Sequence, residues 1–369
     1  MRSRAPQTGP VSAQGPETDS QLRATVDQLT DANRSRRDPE NERRLVQLRH
    51  ELGVRMDSAA EPGPWPRFEP EDLLPTNVYR VPSVTPDELT PETLTTGIRR
   101  QGCVHVRRLL PESLVVHLIE AIDRSFEAFD AHQSGASIEE TTPWFEPFQP
   151  GSRYSNDIKR KLWIKRKWLR DAGGVWPADS PRGLFDLFEA FHQVGLTQLV
   201  TAYLGEAPAL ALDKCTFRRM SCSQLGPRAS VPADWHQDGV FLGDGVRALN
   251  VWMALSHCGR DAPGLDLVPR RLDGLLETGT GGAILRWAVG PGVVEQASVD
   301  TPVTRPVFEP GDVLLFDELF LHRTGIDPAM PRERYAVETW FFAPSIFPGH
   351  PSAPRSDASA GAVYIPMAV

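Results

Sequence analysis

The stretch "RALNVWMALSHCGRDAPGLDLVP" (247–269) sets the class of fold. A short apolar run comes first; Gly259, Asp261 and Pro263 then mark a turn, and a second short apolar run follows. The same pattern recurs in "ALALDKCTFRRM" (209–220), "PVTRPVFE" (302–309), "GDVLLFDELFLH" (311–322) and "RYAVETWFFA" (334–343). Short runs of this kind, punctuated by Gly, Pro and Asp, predict strands. Upstream of Gly205 the character differs. "PESLVVHLIEAIDRSFEAF" (111–129) carries apolar residues at 114, 115, 118, 119, 122 and 126, one helical stripe behind Pro111. "SPRGLFDLFEAFHQVGLTQLVTAYLG" (180–205) predicts another helix, and "GCVHVRRLL" (102–110) a strand. Helices followed by many short strands predict a mainly β core, an antiparallel sandwich or barrel with helices outside.

Flanking segments are less ordered in pattern. Residues 1–20 are rich in Pro, Ser, Gln and Gly and read as disordered. Between Ser20 and Met56, Leu22, Val26 and Leu29 and then Leu45, Leu48 and Leu52 recur at helical spacing, predicting two short charged helices broken near Pro39. "AAEPGPWPRFEPEDLLPTN" (59–77) reads as a Pro-rich linker. The expected organisation is an N-terminal extension (1–77), a compact body (78–350) and a C-terminal tail (351–369).

Composition excludes several classes. The 369 residues are 40% apolar and 24% charged, as in ordinary globular chains. A net charge of −8 argues against a nucleic-acid partner. The most basic stretch, "KRKLWIKRKWLR" (159–170), reads as a solvated helix face with Trp163 and Trp168 turned inward, or as an anion-holding lid near a site. Four cysteines (Cys103, Cys215, Cys222, Cys258) form no CxxC pair and predict a reduced, cytoplasmic protein. The opening residues hold no apolar signal region, and no run approaches the ~18 apolar residues of a membrane span.

Chemistry concentrates in "ADWHQDGVFLGDG" (233–245), where His236 and Asp238 stand two apart. On a strand, residues i and i+2 share a face, so an imidazole and a carboxylate would sit side by side. A metal needs a further ligand. Of the nine histidines, His50, His105, His117, His132, His192, His257 and His350 read as structural or remote. His322, at the far end of the strand in "EPGDVLLFDELFLHRTG" (309–325), remains. Two histidines and one carboxylate occupy one face of an octahedral ion and leave three positions open, which suits non-haem Fe(II); a closed structural zinc site usually carries thiolates. A 2-oxo acid chelating such an iron needs a cation for its far carboxylate. Arg334 opens a strand that would place Ala336, Glu338 and Trp340 on the same face. Its planar fork matches a carboxylate. Arg332, on the preceding turn, is the competitor. Asn250, two before Trp252 on one strand face, would reach the same pocket.

This ordered set resembles the phytanoyl-CoA dioxygenase (PhyH-like) family of Fe(II)/2-oxoglutarate-dependent dioxygenases. The resemblance rests on "GCVHVRRLLPESLVVHLIEAI", "WHQDG", "LNVWMALSHCGRDAPGLDLVPRR", "GDVLLFDELFLHRTG" and "RERYAVETWFFAP", together spanning about residues 98–344. It implies a double-stranded β-helix (jelly-roll, cupin-like) core, with Fe(II), 2-oxoglutarate and O2 at one site. By position, it implies that His236, Asp238 and His322 ligate iron and serve catalysis, and that Arg334 binds the C5 carboxylate of 2-oxoglutarate. Thr324 would assist Arg334, and Trp252 would line the co-substrate pocket, core packing being the plainer reading of that tryptophan. Halogenating relatives lack the acidic ligand; the presence of Asp238 favours oxygen insertion. The implied reaction is hydroxylation of an unactivated C–H in a small-molecule metabolite, with release of succinate and CO2. Desaturation, epimerisation or ring closure at the same iron, a barrel that only binds a ligand, and a scaffold acting through its N-terminal helices are the alternatives. The substrate is expected to be a small apolar or amphipathic molecule, to which an anionic handle or a carrier would be suited, with selectivity set by loops 130–180 and 270–305.

Overall fold

The computed structural model describes residues 18–56, 74–151, 154–222, 234–242, 246–346 and 365–369. In chain order its helices are α1 (Asp19–Ser35), α2 (Pro39–Met56), α3 (Pro91–Gln101), α4 (Glu112–Gln133), α5 (Ile138–Thr141), α6 (Asn156–Asp171), α7 (Pro181–Gln193), α8 (Leu196–Leu204), α9 (Gly239–Leu242) and α10 (Pro291–Ala297). Its strands are β1 (Ser83–Val84), β2 (Cys103–Val106), β3 (Gly174–Val175), β4 (Ala209–Met220), β5 (Ala248–Ala254), β6 (Gly264–Leu267), β7 (Val313–Phe316), β8 (His322–Gly325), β9 (Arg334–Phe342) and β10 (Pro366–Ala368).

Alternation along each strand explains why these segments layer as they do. On β5, Leu249, Val251 and Met253 point one way, and Asn250 and Trp252 the other. On β9, Val337 and Phe341 take the first side, and Arg334, Glu338 and Trp340 the second. The first face merges with Leu118, Ile122 and Phe126 of α4, Leu187 and Phe191 of α7, and Val200 of α8 into one apolar core. Each such side chain contributes roughly 1.5–3 kcal/mol through burial. The second face is left to line a cavity.

Hydrogen bonding runs β1-β2-β7-β5-β9-β4-β10 across the large sheet, with β3 also paired to β4. β1 and β2 are parallel, and the other pairs are antiparallel. A small sheet of β6 and β8 is extended by single bridges, His236 to His322 and Leu267 to Thr304. Residues of the two sheets enclose the cavity between them, the arrangement of a jelly roll with helices on its outer face.

Several expectations change. The helix predicted over 180–205 is two helices, because Gly195 adopts the left-handed region (φ 68°) and ends the first run. The low-complexity start does not extend to residue 20: the Thr18 hydroxyl and the Gln21 side chain form a capping box, so α1 begins at Asp19. Residues 1–17, most of the Pro-rich segment 59–77, and His350 lie outside the described residues. Leu22 and Leu52 close over Ala368. The His50 imidazole bonds the Pro366 carbonyl at 2.9 Å, and Arg182 of α7 bonds the buried Glu42. The N-terminal helices and the last strand are therefore parts of the same body, with their apolar stripes covered by it. No helix among the described residues is long and apolar enough to cross a membrane. All four cysteines are buried and free.

Candidate metal centre and co-substrate pocket

His236 does not sit on a regular strand. It makes a single bridge, its N–H donating to the His322 carbonyl at 3.0 Å and its carbonyl accepting at 3.1 Å. Asp238 lies in the turn that starts α9, its carbonyl accepting from the Phe241 N–H. The shared strand face expected for this pair is thus replaced by a bridge followed by a turn. Gln237, between them, holds the turn. Its buried amide donates to the Gly274 and Leu319 carbonyls at 3.0 and 2.7 Å and accepts from the Leu276 N–H. His322 also differs from expectation. The apolar strand stops at Phe316, a turn braced by Arg271 on Asp317 follows, and His322 opens β8 in the other sheet.

These segments bring three ligand atoms together. The Nε2 atoms of His236 and His322 lie 3.4 and 4.0 Å from Asp238 Oδ1, and all three residues are buried. Each imidazole is oriented through its other nitrogen: His236 Nδ1 donates to the Asp234 carbonyl (2.6 Å) and His322 Nδ1 to the Phe320 carbonyl (3.0 Å). That assignment leaves both Nε2 lone pairs facing the carboxylate. Asp238 Oδ2 accepts from Asn250 Nδ2 at 2.9 Å, whereas Oδ1 is buried with no hydrogen-bond partner among the described residues. An orphaned, buried carboxylate oxygen is costly unless a cation meets it. The donor set fits a divalent metal held on one face.

The cavity beside this cluster is about 440 Å³. Arg334 lies at its wall, 1% exposed. One of its terminal nitrogens donates to the Gly264 carbonyl at 3.3 Å, another faces Glu338 at 3.7 Å, and Nε has no partner. A side chain at residue 264 would collide with Gly259 Cα at 2.6 Å, so glycine there lets the two backbone segments pack closely. Trp252 is both core and lining. Its ring packs on Phe308 at 4.8 Å, its indole N–H is unpartnered, and the Arg334 guanidinium lies 5.9 Å from the ring centre. Thr324 shares the face of His322 on β8 and lines the cavity opposite Leu265. Arg332 is exposed and paired with Asp261 at 3.1 Å. Away from the site, His50, His105, His117, His132 and His257 have ordinary partners: the Pro366 carbonyl, Asp312, Asp186, the Ala136 carbonyl and Glu309.

A family model described as phytanoyl-CoA dioxygenase (PhyH) matches residues 98–326, from α3 through β8, including all three clustered ligands. The chain belongs to the phytanoyl-CoA dioxygenase family. It is an Fe(II)/2-oxoglutarate-dependent oxygenase, with iron and 2-oxoglutarate as its cofactors. Arg334 lies beyond the matched span, so its position rests on the structure. No curated protein matches the sequence. Similar solved structures include the 2-oxoglutarate-dependent carbocyclase SnoK from nogalamycin biosynthesis (16% identity, 77% of this chain and 99% of that one, TM-score 0.44). Others are EctD from S. alaskensis with 2-oxoglutarate and 5-hydroxyectoine (15%, 78% and 90%, TM-score 0.45) and AviO1 from Streptomyces viridochromogenes Tue57 (17%, 72% and 99%, TM-score 0.41).

Electrostatics in this dioxygenase favour metal-ready side chains. Burial and the neighbouring His236 ring push the His322 pKa down to about 4, so this imidazole is neutral at neutral pH. Burial alone would raise the Asp238 carboxyl, but the two imidazoles and the Asn250 amide outweigh it and hold it below its ordinary value. Glu338 behaves likewise: Arg218 and Arg334 outweigh burial. Burial lowers the pKa of Arg334, which stays charged because a guanidinium titrates so high. The dioxygenase's α6 differs from expectation. Trp163 is half-buried, while Trp168 is 61% exposed at the cavity edge. Arg166 is buried on Asp179, Lys165 pairs with Asp213 and Arg170 with Asp130, so these cations already have partners. Gln237, Lys214, Phe241 and Trp287 were not picked out as site residues from sequence. Only Gln237 carried a signal, its place between two ligands.

The bond from Asn250 to Asp238 Oδ2 yields a prediction. Asn250→Leu should weaken Fe(II) binding by ~10–100-fold, the usual cost of losing a partner behind a metal ligand. Anaerobic Fe(II) titration of both proteins measures it, and equal affinities would leave Asn250 with no part in holding the carboxylate.

Proposed function

We propose that this dioxygenase hydroxylates an unactivated C–H bond of a small-molecule metabolite, with His236, Asp238 and His322 holding Fe(II) and Arg334 holding the far carboxylate of 2-oxoglutarate. The observation that carries the reading is Asp238 Oδ1, buried without a hydrogen-bond partner and faced by two imidazole nitrogens whose outer nitrogens are already engaged. When bound, the iron supplies O2 activation coupled to decarboxylation of 2-oxoglutarate. The balance is substrate, 2-oxoglutarate and O2 in, and alcohol, succinate and CO2 out.

The chain's own residues do the positioning. Gln237 and Asn250 keep the ligand turn and the carboxylate in register. Arg334 offers a charge-assisted donor set at the cavity wall, its charge balanced in part by Glu338. Trp252 faces its guanidinium, and Thr324 adds a hydroxyl beside His322. Phe241, Trp287 and Trp340 form apolar walls over the metal side, where exclusion of water protects a reactive centre. The carboxylate ligand supports oxygen insertion, because it fills the coordination position that a halide would take.

The test supplies Fe(II), 2-oxoglutarate and O2 with a metabolite library and reads succinate release together with product mass. The expected product is heavier by one oxygen atom. A product lighter by two hydrogens, or one of unchanged mass, would replace hydroxylation by desaturation or by epimerisation or ring closure. Absence of succinate under every condition would sink the oxygenase chemistry itself.

A further inference from the structure

The cavity wall contains one cation that nothing so far employs. Lys214 lies where β4 loses register against β9, between Leu210 and Cys215. Such an irregularity re-aims side chains, and here both Asp213 and Lys214 reach the cavity. The Lys214 ammonium lies 4.2 Å from the centre of the Trp340 ring and 4.9 Å from that of Phe241. Among the described residues it has no hydrogen bond and no ion pair. The other charged side chains of the wall are matched, except Asp238, whose Oδ1 is the oxygen assigned above to the metal. Asp213 pairs with Lys165 at 3.1 Å, and Arg218 with Glu338 at 2.9 Å. Arg334 faces Glu338, and Asp238 faces two imidazoles. Iron and 2-oxoglutarate use the last two, so loading the site leaves Lys214 as it was.

The surroundings of this cation are aromatic. Phe241 neighbours both this cation and the metal cluster, its ring 4.9 Å from the Lys214 ammonium, 5.8 Å from the His236 ring and 5.3 Å from that of Trp287. Trp168 and Trp340 line the same space. Burial pulls the Lys214 pKa below its usual value, as expected of an ammonium stripped of water, yet the nearby carboxylates oppose that shift.

We propose that Lys214 is the substrate-anchoring residue of this dioxygenase, and that the substrate is a planar, largely apolar monoanion whose carboxylate, phenolate or similar group meets the Lys214 ammonium. This deepens the hydroxylase reading above and rests on it for the reaction. The Phe241 ring neighbours both the ammonium and the His236 imidazole. The anion therefore sits on the metal side of the cavity, with the body of the molecule against the tryptophan and phenylalanine faces. The basic face of α6, the other source of an anion site, is not the anchor: of α6 only Trp168 and Leu169 line the cavity, and no cation of the helix does.

The experiment uses the whole chain, anaerobic, with Fe(II) and saturating 2-oxoglutarate, which keeps Arg334 occupied. The probes are 2-naphthoate, its neutral amide and 2-naphthylmethylammonium, read by quenching of protein tryptophan fluorescence. Naphthoate should bind at least ~10-fold more tightly than the amide, the scale of one charge-assisted hydrogen bond. Lys214→Met should erase that preference, and Lys214→Arg should retain most of it. The inference is overturned if naphthoate fails to bind, if amide or ammonium binds as well as naphthoate, if naphthoate competes with 2-oxoglutarate, or if Lys214→Met keeps the preference. The hydroxylase reading fails separately, through absence of the visible absorption band that Fe(II) and 2-oxoglutarate give together in the wild-type protein; naphthoate quenching does not depend on that band.

Discussion

Asp238→Ala yields a folded protein that no longer retains iron and releases succinate at least ~100-fold more slowly than wild type. The lower bound follows from the cost of disturbing a residue behind a ligand, ~10–100-fold, which loss of a ligand itself must exceed. The physical basis is local. Asp238 supplies the only negative charge in the cluster of three ligands, and its Oδ1 is the atom nearest both imidazole nitrogens. With alanine there, only two imidazoles remain, an incomplete site for Fe(II). The fold should survive, since the removed group was itself buried with an unpartnered oxygen. The main structural loss is the bond to Asn250, and leaving that amide unpaired costs about 1–3 kcal/mol. Metal content after anaerobic reconstitution and thermal unfolding of the same sample separate the two effects. A variant that binds one equivalent of iron with wild-type affinity would show that the carboxylate is not a ligand.

Arg334→Ala should raise the KM for 2-oxoglutarate by roughly 100-fold or more while leaving iron binding near wild type. Removing one partner of a buried charge pair costs about 3–5 kcal/mol, and each 1.4 kcal/mol is about tenfold in affinity. The residue is 1% exposed, and among the described residues its Nε has no partner and it bonds none of the three candidate iron ligands. Arg334→Lys keeps the charge but not the fork, and should recover part of the loss. Glu338 keeps Arg218 in both variants, so the cavity wall retains an ion pair. Arg332→Ala is the control: that side chain is exposed, bonds Asp261 and should change nothing beyond about twofold, since an exposed pair contributes little. Steady-state kinetics in 2-oxoglutarate at fixed iron, with titration of 2-oxoglutarate under anaerobic conditions, measures it. An unchanged KM in Arg334→Ala, or a large change in Arg332→Ala, would move the carboxylate site elsewhere.

Much of the layering was legible because period-two alternation reports directly which way a side chain faces. Asn250 and Trp252 on β5, and Arg334, Glu338 and Trp340 on β9, share a face by spacing, and the sheet places both sets on the cavity side. The local reading failed where the backbone leaves regular structure. His236 and Asp238 are neighbours through a bridge and a turn, held by Gln237 bonds to residues 274, 276 and 319 that no spacing rule reveals. His322 begins a strand of the small sheet, because the chain turns at Asp317 under Arg271. Trp168 looked like a core residue by helical period, yet it stands exposed at the cavity edge.

Element types, the helices-then-strands order and the identities of the chemistry-bearing residues follow from the amino-acid order, because propensity, periodicity and donor type are properties of short stretches. Which donors meet is a different matter. The approach of His322 to Asp238, of Gly264 to Arg334, and of Ala368 to Leu22 depends on strand order, sheet closure and bulges, which involve residues tens to hundreds of positions apart. The free ammonium of Lys214 is of the same kind. Charge is written in the chain, but whether a charge finds a partner depends on what the folded backbone brings within reach.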